Sequence, residues 1–218
     1  MSSKFAKNWE DEKGGIRAAI RPPSPLKTKI EMAVRRIEAQ IQYLESALNR
    51  LTDRDKYLFS KVVDAYSKHD IQRANVFANE LAELRKLASF MMNGELALER
   101  VVLRLRTVSQ LGNIVVTLAP ATKVLQSVSS GVAGILPNAE KELGQVGIML
   151  NEIIVEAGQT SGVTPDFDIV SEDAQKILNE AALVTEQRMR EKFPELPAIR
   201  SSELGLENRG EDVRYTNY

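Results

Sequence analysis

The feature that most constrains the fold is an apolar repeat in the first half of the chain. No glycine or proline occurs between residues 26 and 67. Apolar residues there are spaced alternately four and three apart, and only Asp55 interrupts the series, which reads Ile30, Val34, Ile37, Ile41, Leu44, Leu48, Leu51, Leu58, Val62 and Ala65. This spacing is the seam of a coiled coil sustained for about five heptads. It predicts one helix about 60 Å long, at 1.5 Å per residue.

A second seam follows after a very short break, SKHD at residues 67–70. Asp70 is a favourable N-cap for the helix that this seam predicts. Its apolar positions again alternate three and four, and they are Ala74, Phe77, Leu81, Leu84, Ala88, Met91, Leu98, Val102 and Leu105. Two seams of matching length joined by a short turn predict an antiparallel helical hairpin. Gly94 falls in the gap of the second seam, where we expect it to bend the helix.

Shorter helices are predicted beyond Leu111. We expect Pro120 to start a helix over 121–130, Asn138 to begin one over 139–156, and Ser171 to cap a last helix over 172–192. Aromatic residues make up only 6% of the chain, which favours helices packed on helices through Leu, Ile, Val and Ala. The predicted fold is therefore all-α: a long antiparallel hairpin of two helices of about 40 residues, followed by three shorter helices. Residues 201–218 have no periodicity, and we expect them to be disordered.

Charge divides the chain into two halves. Residues 1–111 hold 20 Lys and Arg against 14 Asp and Glu, whereas residues 112–218 hold 9 against 16. The net charges are therefore +6 and −7. This asymmetry predicts a basic half that meets an anionic surface and an acidic half that can fold back on it.

The sequence shows no set of residues with the spacing needed for catalysis or metal binding. Cysteine is absent and His69 is the only histidine, so thiol chemistry and histidine pairs for metal are excluded. The glycines of SSGVAG lack the Lys-Ser/Thr that completes a phosphate-binding loop. The basic residues are interleaved with acidic ones and lack an aromatic platform, which argues against nucleic acid as a partner. We therefore predict a protein that is not an enzyme and has no cofactor.

The N-terminal stretch KFAKNWEDEKGGIRAAIR is the candidate membrane contact. Phe5 and Trp9 are four apart and are flanked by Lys4, Lys7 and Lys13. A short amphipathic element with an aromatic residue and lysines can lie in a bilayer interface. The alternative is that Phe5 and Trp9 pack on protein. No run approaches the roughly 20 apolar residues of a membrane-spanning helix, and the N-terminus lacks a secretory signal, so we expect a soluble protein.

The order of these features resembles a known family. A basic helical hairpin, an acidic helical C-terminal half and no catalytic set resemble the ESCRT-III membrane-remodelling proteins. The hairpin tip KHDIQRANVFANELAELRK (68–86) looks like that of the archaeal branch, the CdvB cell-division family, with Lys68, His69, Asp70 and Arg73 at the turn. The chain is similar to a shorter paralogue of this family without its C-terminal winged helix.

The resemblance implies a switch between a closed form, with the C-terminal helices on the hairpin, and an open form that stacks into filaments on membranes. It also implies that a proline-containing segment binds the MIT domain of an AAA ATPase. The matching residues lie in FPELPAI and are Phe193, Pro194, Leu196, Pro197 and Ile199. Spaced prolines hold an extended conformation at little entropic cost, which suits such a ligand. The alternative is that these prolines only stop the helix.

These observations lead to one predicted organisation: an N-terminal membrane or assembly segment (1–25), a basic hairpin (26–111), acidic regulatory helices (112–192) and a proline-containing segment with a tail (193–218). The predicted function is a non-enzymatic, polymer-forming membrane-remodelling protein of archaeal cytokinesis. Its predicted partners are other copies of itself, paralogous subunits, the ATPase and anionic membrane on the inner face of the cell membrane. A membrane-stress scaffold of the phage-shock type and a soluble coiled-coil adaptor are the alternatives.

Overall fold

The computed structural model describes residues 25–111, 114–162 and 166–195, and all regular structure within these ranges is helical. The helices are α1 (Pro25–Ser67), α2 (Ile71–Leu111), α3 (Ile114–Val132), α4 (Pro137–Ser161) and α5 (Phe167–Lys192). The predicted all-α fold, a long hairpin followed by three shorter helices, is confirmed. The expected disorder of residues 201–218 lies outside the described residues.

The hairpin is held together by the two predicted seams. Ile37, Leu44 and Leu58 of α1 are almost fully buried, as are Leu81, Ala88 and Leu98 of α2. At the turn, the Asp70 carboxylate accepts a hydrogen bond from the Arg73 backbone N–H at 3.1 Å, which is the predicted N-cap. His69 has a φ of 56°, in the left-handed region, and this conformation lets the chain reverse within three residues.

Helix α3 begins seven residues earlier than predicted and contains Pro120 instead of starting after it. Proline inside a helix removes one backbone hydrogen bond and costs about 3 kcal/mol. Ile114, Val115 and Leu118, upstream of the proline, are all buried. Burying each such side chain contributes about 1.5–3 kcal/mol, which outweighs the cost of the proline.

The last two helices also differ from their predicted bounds. Pro137 is itself in the first turn of α4, and the helix runs on to Gly162, whose φ of 70° ends it with a backbone hydrogen bond to Gly158. Helix α5 starts at Phe167 because the Asp166 carboxylate caps it by accepting from the Asp168 N–H. The prediction that Ser171 caps this helix was wrong.

Gly94 does not interrupt the second arm, because α2 continues through it. A Cβ added at Gly94 would lie 3.2 Å from Cγ1 of Val128 on α3 and 3.9 Å from Cδ1 of Leu44 on α1. The absent side chain thus lets α3 approach the hairpin closely. Gly94 is therefore the site of a close helix crossing within a continuous α2.

Two apolar clusters divide the hairpin along its length. The larger cluster joins its open end to α3, α4 and α5. The smaller one contains only Leu58, Val62 and Leu81, with Phe59, Phe77, Ala78 and Leu84 packed at its edge. The part of the hairpin near the turn is therefore a two-helix arm, and the shorter helices gather at the other end.

Candidate functional site

The C-terminal half lies along the hairpin in a fixed direction. Glu180 of α5 pairs with Arg100, and Pro194 beyond the helix end meets Arg85, so α5 runs antiparallel to α2 and points toward the turn. Helix α4 runs antiparallel to α1, because Glu156 pairs with Lys29 at 2.8 Å and Gln145 accepts from Arg36 at 3.4 Å. These contacts place acidic helices on the basic hairpin.

Asp55 is the one acidic member of the α1 seam, and its side chain is 3% exposed. Its partner is Arg85 on α2, whose Nε donates to Oδ1 at 2.6 Å and whose Nη2 donates to Oδ2 at 3.1 Å. This is the two-pronged geometry in which a guanidinium binds a carboxylate most strongly. The charge at the seam is therefore paired across the hairpin.

Arg85 also binds the chain just beyond α5. Its Nη1 donates to the backbone oxygen of Pro194 at 2.8 Å, and its guanidinium carbon lies 5.7 Å from the centroid of the Phe193 ring. Phe193 is only 5% exposed and belongs to the main apolar cluster. We call Asp55, Arg85, Phe193 and Pro194 the Arg85 anchor.

The residues predicted to bind an ATPase are thus split by the structure. Phe193 and Pro194 are part of the Arg85 anchor, so this part of the segment packs on the hairpin and does not stand apart from it. Although Phe193 lies just beyond the end of α5, its side chain joins the main apolar cluster. Leu196, Pro197 and Ile199 lie outside the described residues.

The predicted tip residues lie together on the surface. Lys68, His69, Asp70 and Arg73 are all exposed. Lys68 donates to Asp64 at 2.9 Å, and this hydrogen bond is the main reason that the pKa of the Asp64 carboxyl is lowered. The predicted membrane-binding residues, Lys4, Phe5, Lys7, Trp9 and Lys13, lie outside the described residues.

Glu95 is a second acidic residue in a seam, at the gap between Met91 and Leu98 on α2. It is 8% exposed, and its Oε2 has no hydrogen-bond partner. Burial raises the pKa of this carboxyl, and the carboxylates of Glu99 and Glu45 raise it further. Arg188 and Lys192 of α5 act in the opposite direction. The hairpin thus holds a carboxyl that is costly to ionise beneath the C-terminal helix.

The described residues contain neither a helix that could span a membrane nor a metal-binding cluster. None of these helices is long and apolar enough to cross a membrane. Within the same ranges, no group of three or more His, Asp or Glu side chains could hold a metal ion.

Sequence reasoning did not identify Arg85 or Glu95 as members of a site. Asp55 was visible as the missing apolar residue of its seam, but its partner depends on which α2 residue lies opposite. The equivalent signal for Glu95 was the missing seam member four residues after Met91. An acidic residue inside a seam that otherwise lacks interruptions is the pattern that could have found both.

Comparison with known proteins finds relatives over most of the chain. It is 40% identical over 199 residues to Cell division protein B1 of Sulfolobus acidocaldarius, covering 91% of this chain and 92% of that relative. It is 34% identical over 162 residues to Cell division protein B of the same organism, covering 74% of this chain and 62% of that relative. No protein-family profile matches the chain. No solved structure matches it.

Proposed function

The chain belongs to the archaeal cell division protein B (CdvB) family, which is ESCRT-III-like, and we propose that it acts in cell division as a non-enzymatic, polymer-forming protein that remodels membrane. Its relatives are named for cell division, which supports the process. The observation that carries the mechanism is the closed arrangement of the molecule, in which an acidic set of helices covers one end of a long basic hairpin.

In this proposal the hairpin is the unit of assembly. Its arm near the turn carries apolar side chains that remain exposed, among them Tyr57 at 51% and Val76 at 64%. Arg54 and Lys61 lie over the Tyr57 ring at 5.3 and 5.4 Å, so this face combines apolar area with positive charge. Such a face suits lateral contact with the acidic helices of a neighbouring subunit.

The membrane contact in this proposal is the N-terminal segment with Phe5, Trp9 and its lysines. It would hold the polymer on the inner face of the cell membrane at the division site, where anionic headgroups attract each lysine by about 1 kcal/mol. The FPELPAI segment is the proposed binding site for the MIT domain of an AAA ATPase, which would extract subunits from the polymer.

The proposal is tested by incubating the full chain with vesicles containing about one third anionic lipid and sedimenting them. We expect the protein to pellet with anionic vesicles and to stay in solution with neutral ones. F5A/W9A should abolish pelleting, whereas the matched variant Y43A, at an exposed tyrosine outside the arm near the turn, should retain it. A chain that stays monomeric and unbound at low salt would contradict the proposal, whereas a defined small oligomer that ignores lipid would favour a coiled-coil adaptor. An isolated peptide of residues 186–204 that fails to bind an MIT domain would favour a membrane-stress scaffold.

A further inference from the structure

A groove runs between α1 and α2 at the open end of the hairpin, away from the turn. It has a volume of about 410 Å³, and all of its lining residues belong to these two helices. Its floor is apolar and its rim is charged: the floor is formed by Ile30, Val34 and Leu105, and the rim by Lys27, Glu31, Arg35, Glu38 and Arg106. The described parts of α3, α4 and α5 do not line the groove, so they leave it open to another segment.

The N-terminal part of the chain reaches the hairpin beside this groove. Helix α1 begins at Pro25, two residues before Lys27 on the rim. The sequence RPPSP over 21–25 contains three prolines, which cannot continue a helix and form a short connection. Connections of about two to eight residues commonly join neighbouring helices, so the residues before 21 can run back along α1. Residues 10–20 lie outside the described residues, and their sequence identifies them as the occupant.

Two isoleucines of this stretch match the floor of the groove in spacing. Ile16 and Ile20 are four residues apart, as are Ile30 and Val34 on α1. In a helical turn this spacing corresponds to about 6 Å along the axis and places both side chains on one face. A stretch that runs back from Pro25 would therefore bring Ile20 to Ile30 and Ile16 to Val34.

The charges of the two partners also match. The run EDE (10–12) is the only run of three consecutive acidic residues in the chain, and it lies within the basic half. In the same antiparallel direction it would reach the part of the rim that is formed by Arg35 and Arg106. The Arg35 side chain is 75% exposed and lies 3.8 Å from Glu31, which is longer than a hydrogen bond, so its guanidinium is accessible to a second carboxylate.

We propose that this groove is an intramolecular docking site for residues 10–20, with Ile16 and Ile20 on its floor and the EDE run on its basic rim. The consequence for the membrane rests on the proposed function of the N-terminal segment. Acidic residues beside a membrane contact repel anionic headgroups, and pairing them with the hairpin removes this repulsion. Docking therefore supports membrane binding and leaves residues 1–9 as the contact.

Chemical cross-linking tests the docking, because the chain has no cysteine and introduced cysteines are its only thiols. The variant A19C/E31C places one thiol in the segment and one on the rim of the groove. The matched control A19C/M32C moves the second thiol to the next residue of α1, which is 46% exposed and does not line the groove. The full chain is treated with a short bismaleimide without lipid. We expect the intramolecular cross-link to form about tenfold faster in A19C/E31C, because docking raises the local concentration of one thiol at the other.

Two further variants, made in the A19C/E31C chain, identify the contact. I16D/I20D should reduce the cross-linking rate to that of A19C/M32C, since it places charge on the apolar floor. S2D/S3D adds the same charge outside residues 10–20 and should leave the rate unchanged. Neither variant changes a residue of the hairpin, so the comparison does not depend on how the hairpin tolerates substitution.

The cross-linking outcomes decide the docking site. Equal rates in A19C/E31C and A19C/M32C would overturn it, as would a rate in I16D/I20D equal to that of S2D/S3D. Cross-links that join two chains, seen as dimers on a denaturing gel, would assign the groove to the segment of a second copy and would overturn the intramolecular site.

Sedimentation with anionic vesicles tests the coupling to the membrane. We expect cross-linked A19C/E31C to pellet as well as the unmodified chain, and I16D/I20D to pellet less than S2D/S3D, which carries the same added charge. A cross-linked chain that no longer pellets would show that docking and membrane contact exclude each other and would overturn the coupling. An unmodified chain that does not pellet would overturn the proposed membrane contact, and the cross-linking rates would still decide the docking.

Discussion

At the scale of single residues, the two acidic members of the seams behave differently. Asp55 has a guanidinium opposite it, whereas one oxygen of Glu95 has no partner. Both residues occupy positions where the repeat predicts Leu or a similar side chain. Each acidic residue therefore lowers the stability of the hairpin relative to an apolar residue at the same position. Asp55 forms a specific ion pair there, and Glu95 makes stability depend on pH.

The Asp55–Arg85 pair gives the first prediction. R85A leaves Asp55 buried without its partner, and breaking a buried pair in this way typically costs 3–5 kcal/mol. We expect the free energy of unfolding, measured in urea, to fall by about 3 kcal/mol. The double variant D55L/R85M replaces the ion pair with two apolar side chains, and its free energy of unfolding should lie within about 1 kcal/mol of that of the unmodified chain. If R85A and D55L/R85M lose equal stability, Arg85 stabilises the hairpin mainly by packing.

Glu95 gives the second prediction. Its pKa in the folded chain is raised above its ordinary unfolded value of about 4.3, so between the two values the folded state binds more protons than the unfolded state. Stability then falls as the pH rises through this window, and the cost of the ionised carboxylate persists above it. The groups facing Glu95 are Glu45 on α1, Glu99 on its own helix, and Arg188 and Lys192 on α5.

We therefore expect E95Q to raise the melting temperature at pH 7 and to reduce the loss of stability between pH 4.5 and 7, measured by circular dichroism. The control is E172Q, since Glu172 is exposed and is not among the groups that shift the pKa of Glu95. A lower melting temperature for E95Q than for the unmodified chain at pH 7 would mean that the Glu95 carboxylate is stabilised by Arg188 and Lys192 more than it is penalised by burial.

At the scale of helices, glycine decides how closely α3 approaches the hairpin. A Cβ added at Gly131 would lie 1.9 Å from Cζ of Phe90 on α2, so the Phe90 ring covers the bare backbone of α3. Phe90 is 40% exposed, which leaves it room to move outward at a cost in packing. Gly144, which lies inside α4, has open space around the corresponding position and provides a matched comparison.

The third prediction follows from this contact. G131A forces the Phe90 ring away, and overpacking of this kind typically costs about 1–3 kcal/mol, partly offset by the better helix propensity of Ala, about 1 kcal/mol. We expect G131A to be less stable in urea than G144A by about 1–3 kcal/mol, since the gain in helix propensity is the same at both sites. When Phe90 is also replaced by alanine (F90A), the two glycine variants should be equally stable. A difference in stability that persists in F90A would mean that the strain arises elsewhere in α3.

The helices also show which parts of the fold could be predicted from the sequence. The hairpin could be predicted because its seams repeat for many turns and because Asp70 is a recognisable cap. The start of α3 could not, since Pro120 is a strong breaker signal that the burial of Ile114 and Leu118 overrides. The Arg85 anchor was missed because residues 55, 85 and 193 are far apart in the sequence, and only the register of packed helices brings them together.

At the scale of the whole molecule, the charge asymmetry of the sequence is realised as contact between the halves. Lys29–Glu156 and Arg100–Glu180 join the hairpin to α4 and α5. The side chains of the first pair are 40% and 42% exposed, so this ion pair contributes little to stability and is screened by salt. Apolar packing of the main cluster therefore contributes most of the closure, and the charges orient the helices.

The arm near the turn is not covered by the C-terminal helices. Its apolar cluster contains only two helices, and its outer face exposes Tyr57, Val63 and Val76. Side chains of this kind can be covered when a second molecule packs alongside. Assembly is therefore the property of the whole molecule on which the proposed function depends most directly.

Electron microscopy of the full chain on anionic vesicles is the measurement that tests this account most directly. We expect curved filaments on the vesicle surface and deformation of the membrane. The variant Y57E/V76E, which places charge on the exposed arm, should form no filaments. Its control, with charge on the exposed part of α3, which has no acidic residue, is V116E. Vesicles that remain smooth and bare, with the protein monomeric in solution at low salt, would contradict the account.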